Sequence, residues 1–91
     1  MKLLLAVDIG GTKTFCQLST TEGEVLLAHE YISQQYVSFE ALLNVFLSQI
    51  NIASTMRISA CFAVAGPVLG RNGTVTNLPW RLNADQIATR F

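Results

Sequence analysis

The sequence has few charged residues and no run of either sign. Asp, Glu, Lys and Arg make up 13% of its 91 residues, against about 25% in an ordinary soluble domain. Six basic residues balance six acidic ones, so the formal net charge is zero. Proteins that bind nucleic acid or anionic membranes usually concentrate positive charge. We therefore expect neither nucleic acid nor a membrane among its partners.

Histidine and cysteine are also scarce, which limits metal and disulfide chemistry. His29 is the single histidine, so no second histidine is available for a zinc site. Cys16 and Cys61 both lie in apolar segments that read as strands. We expect two reduced, buried thiols in a cytoplasmic protein rather than a disulfide.

Long apolar runs are absent as well. Residues 58–70 form the longest nearly apolar stretch, which contains Pro67 and is too short to span a bilayer. The apolar run before Asp8 is shorter than the roughly seven residues that a signal peptide needs. Apolar residues nevertheless make up 51% of the chain. Because this fraction is high for so small a domain, we expect further sequence to cover part of its surface.

The most informative segment begins with an apolar strand that runs into a carboxylate and two glycines. Residues 3–7 contain no polar side chain, which predicts a strand buried on both faces. Asp8 follows where that strand would leave the sheet. Gly10 and Gly11 would let the backbone turn with positive φ and bring N–H groups close to a ligand.

The residues after the glycines complete a pattern that suits a polyphosphate. Thr12 offers a hydroxyl and Lys13 a positive charge, while Asp8 suits the magnesium that accompanies nucleotide phosphates. The segment 14–19 is short and contains a β-branched and an aromatic residue, which indicates a strand rather than the helix of a Rossmann turn. The spacing of a Walker A loop is absent too. The pattern predicts a phosphate-binding hairpin; the alternative is an ordinary Gly-Gly hairpin with Asp8 as a turn former.

Two blocks of sequence carry a family resemblance, and the second block has two parts. Residues 8–13, Asp-Ile-Gly-Gly-Thr-Lys, resemble the first phosphate motif of sugar kinases in the actin, hexokinase and Hsp70 superfamily. Residues 63–68, Ala-Val-Ala-Gly-Pro-Val, and 76–82, Thr-Asn-Leu-Pro-Trp-Arg-Leu, are similar to bacterial glucokinases of the hexokinase type. ROK kinases usually have Asn-Leu-Pro-Gly-Trp in place of residues 77–80, which are Asn-Leu-Pro-Trp in this chain. The resemblance covers nearly the whole chain in order.

The resemblance implies an α/β fold, namely the N-terminal part of a ribonuclease H-like (actin-like ATPase) domain over residues 1–91. It implies ATP and magnesium as cofactors, with Asp8 holding magnesium directly or through its water. The implied cofactor-binding residues are Val7, Asp8, Ile9, Gly10, Gly11, Thr12 and Lys13. Asn77 would orient a hydroxyl of the sugar, although a structural role in its loop is an alternative, and Trp80 is expected to pack rather than to form a sugar platform.

The expected function is phosphorylation of glucose or a related hexose by a cytoplasmic homo-oligomer. By resemblance, the catalytic Asp lies beyond Phe91, so residues 1–91 contain no catalytic residue and would be inactive alone. Two alternatives stay open. One is a ROK-type kinase for another hexose or an acylamino sugar, and the other is a non-catalytic regulator or half-domain.

Local patterns predict a mixed sheet of about five strands with one main helix. Residues 24–32 and 57–65 read as strands. The main helix should span residues 38–51, with Ser38 as its N-cap and one apolar face. Asn72-Gly73 predicts a hairpin turn, and Asn83 begins a short C-terminal helix with the spacing of a capping box.

Overall fold

The computed structural model describes residues 2–50, 57–64, 68–69, 72–74, 80–83, 85 and 87–88. In chain order the elements are β1 (Lys2–Ile9), β2 (Lys13–Thr20), β3 (Val25–Ile32), a 3₁₀ helix (Ser33–Gln35), α1 (Phe39–Ser48), β4 (Arg57–Val64), β5 (Val68–Leu69), β6 (Asn72–Thr74) and β7 (Arg81–Asn83). Asp85, Ile87 and Ala88 are helical, where the sequence predicts a short helix. No helix within these ranges is long and apolar enough to cross a membrane.

The first two strands form the predicted hairpin. β1 and β2 are antiparallel, with Leu5 opposite Leu18 and Ile9 opposite Thr14. A strand therefore follows the two glycines, which excludes the Rossmann arrangement, where a helix follows. β3 continues the antiparallel order on the other side of β2, with a shift in register between Leu18 and Ser19.

The main sheet is mixed, as predicted, but it is smaller than expected. Its strand order is β3-β2-β1-β4, and β4 runs parallel to β1. A parallel neighbour requires a crossover connection, and α1 lies in that connection. The predicted number of about five strands is wrong for the described part of the chain, where four strands form this sheet. The short strands β5, β6 and β7 pair with one another in a separate antiparallel sheet instead.

Helix α1 forms where its capping residue and its apolar periodicity predict it. The Ser38 hydroxyl accepts a hydrogen bond from the backbone N–H of Ala41 at 3.1 Å, which satisfies one of the free donors of the first turn. Glu40 also lies in that turn, where a negative charge is favourable. The helix ends at Ser48, earlier than the predicted residue 51, with Gln49 as its C-cap.

The core lies between α1 and one face of the main sheet. Side chains of β1 and β2 on this face are fully buried, and the helix buries its apolar side against them. Aromatic rings join the elements: Phe39 of α1 contacts Phe62 of β4, with ring centroids 5.3 Å apart. The main buried members are Leu3, Leu5, Val7, Ile9, Cys16, Leu18, Phe39, Leu42, Leu43 and Phe46.

The opposite face of the main sheet is exposed, and we call it the outer face. Burial alternates along β1, so that Leu4 is 38% exposed between two buried leucines. The prediction that β1 is buried on both faces is therefore wrong for the described residues, because α1 covers only one face of the sheet. The exposed residues of the outer face include Leu4, Ala6, Asp8, Phe15, Ser59, Cys61 and Ala63.

The two cysteines have different surroundings. Cys16 is buried in the core, and burial raises the pKa of its thiol to about 12. Cys61 is exposed on the outer face, so the prediction of two buried thiols is wrong for this residue. Both thiols are free, as expected. His29 is an exposed residue of β3.

The second sheet corrects the predicted position of its first turn. Asn72 and Gly73 belong to β6, where they pair with Leu69 and Val68. The chain therefore reverses between Leu69 and Asn72, and the Asn-Gly pair is not the turn. The reason is register: pairing with β5 places these two residues inside the ladder.

Trp80 packs in the core, as predicted. Its side chain is 2% exposed, its ring lies 6.2 Å from that of Phe39, and its indole N–H donates to the Tyr36 carbonyl at 3.1 Å. Leu82 and Ile87 are also buried.

Candidate functional site

The candidate site lies where β1 ends and the chain turns into β2. Asp8 is exposed on the outer face, between Phe15 of β2 and Ala63 of β4. One residue later, the side chain of Ile9 is fully buried on the other face. The alternation of β1 thus fixes the carboxylate of Asp8 on the solvent side at the carboxyl end of the central strand.

Residues 10–13, which we call the glycine turn, connect the two strands tightly. The Gly10 N–H donates to the Lys13 carbonyl at 3.0 Å. A Cβ atom on Gly10 would lie 2.8 Å from that carbonyl oxygen, so any other residue would force the turn to open. The predicted positive φ is wrong, because among the described residues only Gly23 has one. Glycine is needed at position 10 for the close approach of the backbone.

The glycine turn contains two adjacent main-chain N–H groups that have no backbone acceptor among the described residues. Gly11 and Thr12 follow Gly10, and among the bonds of the described residues neither N–H has a backbone acceptor. The side chain of Thr12 is exposed, and Gly11 is partly exposed. Adjacent N–H groups without acceptors make a local anion site, since they offer fixed partial positive charge. This geometry suits a phosphate group.

Lys13 is partly committed to another partner. Its ammonium nitrogen lies 3.6 Å from Oε1 of Glu30 on β3, and both side chains are more than half exposed. An exposed ion pair of this kind contributes about 0–1 kcal/mol, so it restrains the lysine only weakly. Lys13 therefore lies at the end of the glycine turn, and its weak ion pair leaves its charge largely available to a ligand.

Ser33 is a residue of the site that the sequence did not indicate. It follows β3 directly, is 0% exposed, and donates its hydroxyl to the Gly10 carbonyl at 2.7 Å. Its backbone N–H donates to the Thr12 carbonyl at 2.9 Å. Its hydroxyl oxygen also lies 2.8 Å from that of the buried Thr14. Because its partners are 19 to 23 residues away, local sequence offers no signal that could have identified it.

The structure brings together most of the predicted cofactor-binding residues, in two different ways. Asp8, Thr12 and Lys13 direct exposed side chains to solvent at the same end of the hairpin. Val7 and Ile9 are 3% and 0% exposed, so their side chains belong to the core and only their backbone is near the turn. Asn77, the predicted sugar-binding residue, lies outside the described residues.

The described residues contain no cluster of three or more His, Cys, Asp or Glu side chains that could hold a metal ion. Asp8 places an exposed carboxylate at the end of the hairpin. Magnesium in nucleotide sites is commonly bound by one or two carboxylates together with phosphate oxygens and waters. A single Asp beside a phosphate-binding turn fits that donor set.

Comparison with known proteins now decides the family. The glucokinase family model matches residues 5–91. The chain belongs to the glucokinase family. Among curated glucokinases, that of Trichormus variabilis is 38% identical over 92 residues, which covers 97% of this chain. The glucokinases of Nostoc punctiforme and Cronobacter sakazakii are 35% and 32% identical over 96% and 94% of it.

Solved structures agree with this assignment. The crystal structure of a glucokinase from an Antarctic psychrotroph matches 99% of the chain with a TM-score of 0.80 and 27% identity. A putative sugar kinase from Cytophaga hutchinsonii, at 22% identity and a TM-score of 0.66, shares the fold. The chain spans 27% of the length of the Trichormus glucokinase and 29% of the psychrotroph structure.

The region that the family model matches includes the whole glycine turn and Asp8. The expectation of a glucokinase from the two sequence blocks is thereby confirmed at the level of the family. The roles of Asp8, the glycine turn and Asn77 stay predictions.

Proposed function

We propose that this chain is the phosphate-binding part of an ATP-dependent glucokinase, which transfers the γ-phosphoryl group of ATP to the 6-hydroxyl of glucose. The observation that carries the proposal is the glycine turn, with its available N–H groups beside the exposed Asp8. The family match over residues 5–91 supplies the sugar substrate and the reaction. Glycolysis in the cytoplasm is the corresponding setting.

The proposed fold is the N-terminal part of a ribonuclease H-like domain of the actin-like ATPase type. Three antiparallel strands, a crossover helix and a fourth strand parallel to the first support this proposal. In such an arrangement, the carboxyl ends of β1 and β4 lie at one edge of the sheet. Asp8 and the glycine turn occupy that edge, which is where ligands of open α/β sheets bind.

The residues proposed to bind ATP, magnesium and the sugar have different roles. The N–H groups of Gly11 and Thr12 and the Thr12 hydroxyl donate to phosphate oxygens, and Lys13 adds positive charge. Asp8 holds magnesium, directly or through water. When bound, magnesium neutralises charge that develops on the transferred phosphoryl group. Val7 and Ile9 contribute backbone only, and Asn77 orients a sugar hydroxyl.

The general base is proposed to lie in sequence that follows residue 91. A positioned base contributes about 10²–10⁴-fold to such a reaction, so residues 1–91 alone should have no useful activity. Glucose and a homo-oligomeric assembly are the proposed partners of the complete enzyme.

Steady-state assays of the full-length protein that carries this chain test the proposal. We expect formation of glucose 6-phosphate with ATP and magnesium, and no activity from residues 1–91 alone. A higher kcat/KM for another hexose or an acylamino sugar would instead assign the enzyme to ROK-type chemistry. Sugar binding without any phosphoryl transfer would indicate a non-catalytic regulator.

A further inference from the structure

The shape of the glycine turn depends on a residue outside it. Within the turn, the bond from the Gly10 N–H to the Lys13 carbonyl is the one backbone bond found among the described residues. A two-residue hairpin loop ordinarily also has the reciprocal bond, from the second strand back to the first. Here the Gly10 carbonyl accepts the Ser33 hydroxyl instead, at 2.7 Å.

The hydrogen bonds of Ser33 form a chain with a fixed direction. A serine hydroxyl has a single hydrogen, and that of Ser33 is used on the Gly10 carbonyl. The contact of 2.8 Å between the two hydroxyl oxygens therefore has Thr14 as donor and Ser33 as acceptor. A third bond, from the Ser33 N–H to the Thr12 carbonyl, restrains the other side of the turn. Ser33 thus holds the Gly10–Gly11 and Thr12–Lys13 peptide groups, one on each side of the Gly11–Thr12 peptide.

Burial makes these bonds hard to replace. Ser33 and Thr14 are both 0% exposed, so water cannot readily take over a lost partner. Without the Ser33 hydroxyl, the Gly10 carbonyl is free to rotate towards the Lys13 N–H and close an ordinary hairpin loop. That rotation would reorient the peptide between Gly10 and Gly11, which carries the N–H of Gly11.

We infer that Ser33 is the positioning residue of the glycine turn: it holds the N–H groups of Gly11 and Thr12 in the arrangement that receives phosphate before any nucleotide binds. The inference rests on the proposed function for the identity of the ligand, and on the hydrogen bonds alone for the shape of the turn. Ser33 touches no substrate. It acts through the Gly10 and Thr12 carbonyls.

Kinetics of the complete enzyme provide the first test. Ser33→Ala should raise the KM for ATP about tenfold, because a preorganised site loses a partly buried hydrogen bond on which its shape depends. The KM for glucose should stay within twofold of the wild type, since the proposed sugar-binding residue, Asn77, does not belong to the turn. Thr14→Val removes only the hydroxyl that donates to Ser33, so it should raise the KM for ATP by less.

Ser38→Ala is the matched control. It also removes a serine hydroxyl that bonds to the backbone, but that bond caps α1 and does not reach the turn. Its thermal stability should fall in the same range as that of Ser33→Ala, while its KM for ATP should equal the wild-type value. This comparison separates positioning of the turn from a general loss of stability.

Hydrogen exchange of the nucleotide-free enzyme provides a second readout that does not depend on activity. The amide of residue 33, which donates to the Thr12 carbonyl, should exchange faster in Ser33→Ala and Thr14→Val than in the wild type or Ser38→Ala. In Ser33→Ala the Lys13 amide should exchange more slowly, because it gains the Gly10 carbonyl as an acceptor. A KM for ATP within twofold of wild type together with unchanged exchange in Ser33→Ala would overturn the inference. If Ser33→Ala does not fold, the same two results for Thr14→Val decide the question.

The two proposals fail in different ways. A wild-type enzyme that neither binds ATP nor phosphorylates glucose would refute the proposed function. Faster exchange in Ser33→Ala would still support the positioning role of Ser33 in that case. Conversely, an active wild-type enzyme with an unaltered Ser33→Ala variant would refute the positioning role and leave the proposed function in place.

Discussion

At the scale of single residues, the site depends on which side of the sheet each side chain occupies. Asp8 is exposed, and its neighbour Ile9 is fully buried, because successive residues of a strand point to opposite faces. Insertion or deletion of one residue before Asp8 would exchange the two. The register of β1 against β2 and β4 therefore sets the position of the proposed magnesium-binding carboxylate as well as the fold.

Asp8→Asn in the complete enzyme tests the proposed magnesium role. The amide keeps the size of the side chain and removes its negative charge. We expect kcat to fall about 100-fold or more, since charge stabilisation acts mainly in the transition state, while the KM for glucose changes little. Coupled kinetics with saturating ATP and magnesium measure both constants. A variant with nearly normal kcat would show that Asp8 only shapes the end of the strand.

Gly10→Ala tests the close approach within the glycine turn. The added methyl would lie 2.8 Å from the Lys13 carbonyl oxygen, so the turn must open. We expect a loss of about 1–3 kcal/mol in the free energy of unfolding and weaker ATP binding, measured by chemical unfolding and calorimetric titration.

Gly23→Ala is the control for this substitution. Gly23 has a φ of 93°, and a methyl group added there would meet no atom within 4 Å. Its replacement therefore costs backbone strain of about 1–2 kcal/mol without any steric contact. ATP affinity should not change, because this turn joins β2 to β3, away from the site. Equal ATP affinity for Gly10→Ala and wild type would remove the glycine turn from the site.

Much of the site was predictable from local sequence, and the rest required the fold. The order of apolar strand, carboxylate, paired glycines and short strand indicates the hairpin and Asp8, because each feature has a local physical cause. Ser33 was not predictable, since its bonds to Gly10 and Thr14 arise only when β3 pairs with β2. The reason for glycine at position 10 was not predictable either, because spacing alone does not distinguish positive φ from close backbone contact.

At the scale of elements, α1 is the most predictable part of the structure. A capping serine and apolar residues at helical spacing specify both its start and its buried side. The Asn72-Gly73 pair was less informative, because the same residues form a good turn or a short strand. Which of the two occurs is decided by pairing with β5, which local sequence does not contain.

Phe46→Ala tests how far the fold depends on α1. Phe46 is fully buried, and its ring lies edge-on to that of Tyr31 with centroids 6.4 Å apart. We expect a loss of about 3–5 kcal/mol, a large part of the stability of a small domain. Urea unfolding followed by the fluorescence of Trp80, the single tryptophan, measures it.

Val45→Ala provides the comparison on the same helix. Val45 is adjacent to Phe46 and 41% exposed, so its truncation should change the free energy of unfolding by about 0.5 kcal/mol or less. Similar losses for the two variants would mean that α1 contributes little to the core.

At the scale of the whole molecule, the outer face is the largest difference between expectation and structure. The continuous apolar sequence of β1 is typical of a strand covered on both sides, yet its alternate residues are exposed in this chain. The sequence shows that both faces of this strand are apolar enough to be buried. It does not show which element supplies the second cover, and among the described residues α1 covers only one face.

The exposed part of the outer face combines Leu4 and Phe15, at 38% and 39% exposure, with Ala6 of β1 and with Cys61 on the other side of β1. Cross-strand pairing places Ala6 opposite Cys61 and Asp8 opposite Phe15, so these side chains form one continuous surface. Each 100 Å² of apolar area left in water forgoes about 2.5 kcal/mol. Among the described residues, β3 and β4 also form open edges of the sheet, which favour pairing between chains.

We therefore expect the isolated 91-residue chain to self-associate at micromolar concentration through the outer face or an open edge. Light scattering should show a mass above that of the monomer. The double variant Leu4→Thr, Phe15→Thr keeps β propensity while removing apolar area, so it should shift association to higher concentration.

Cys61 reports on the same surface, because its reaction with a thiol reagent should slow as the chain associates. Buried Cys16, with its pKa of about 12, should stay unreactive at every concentration. A folded monomer whose Cys61 reacts at a concentration-independent rate would show that the outer face tolerates water, and would contradict the argument from apolar composition.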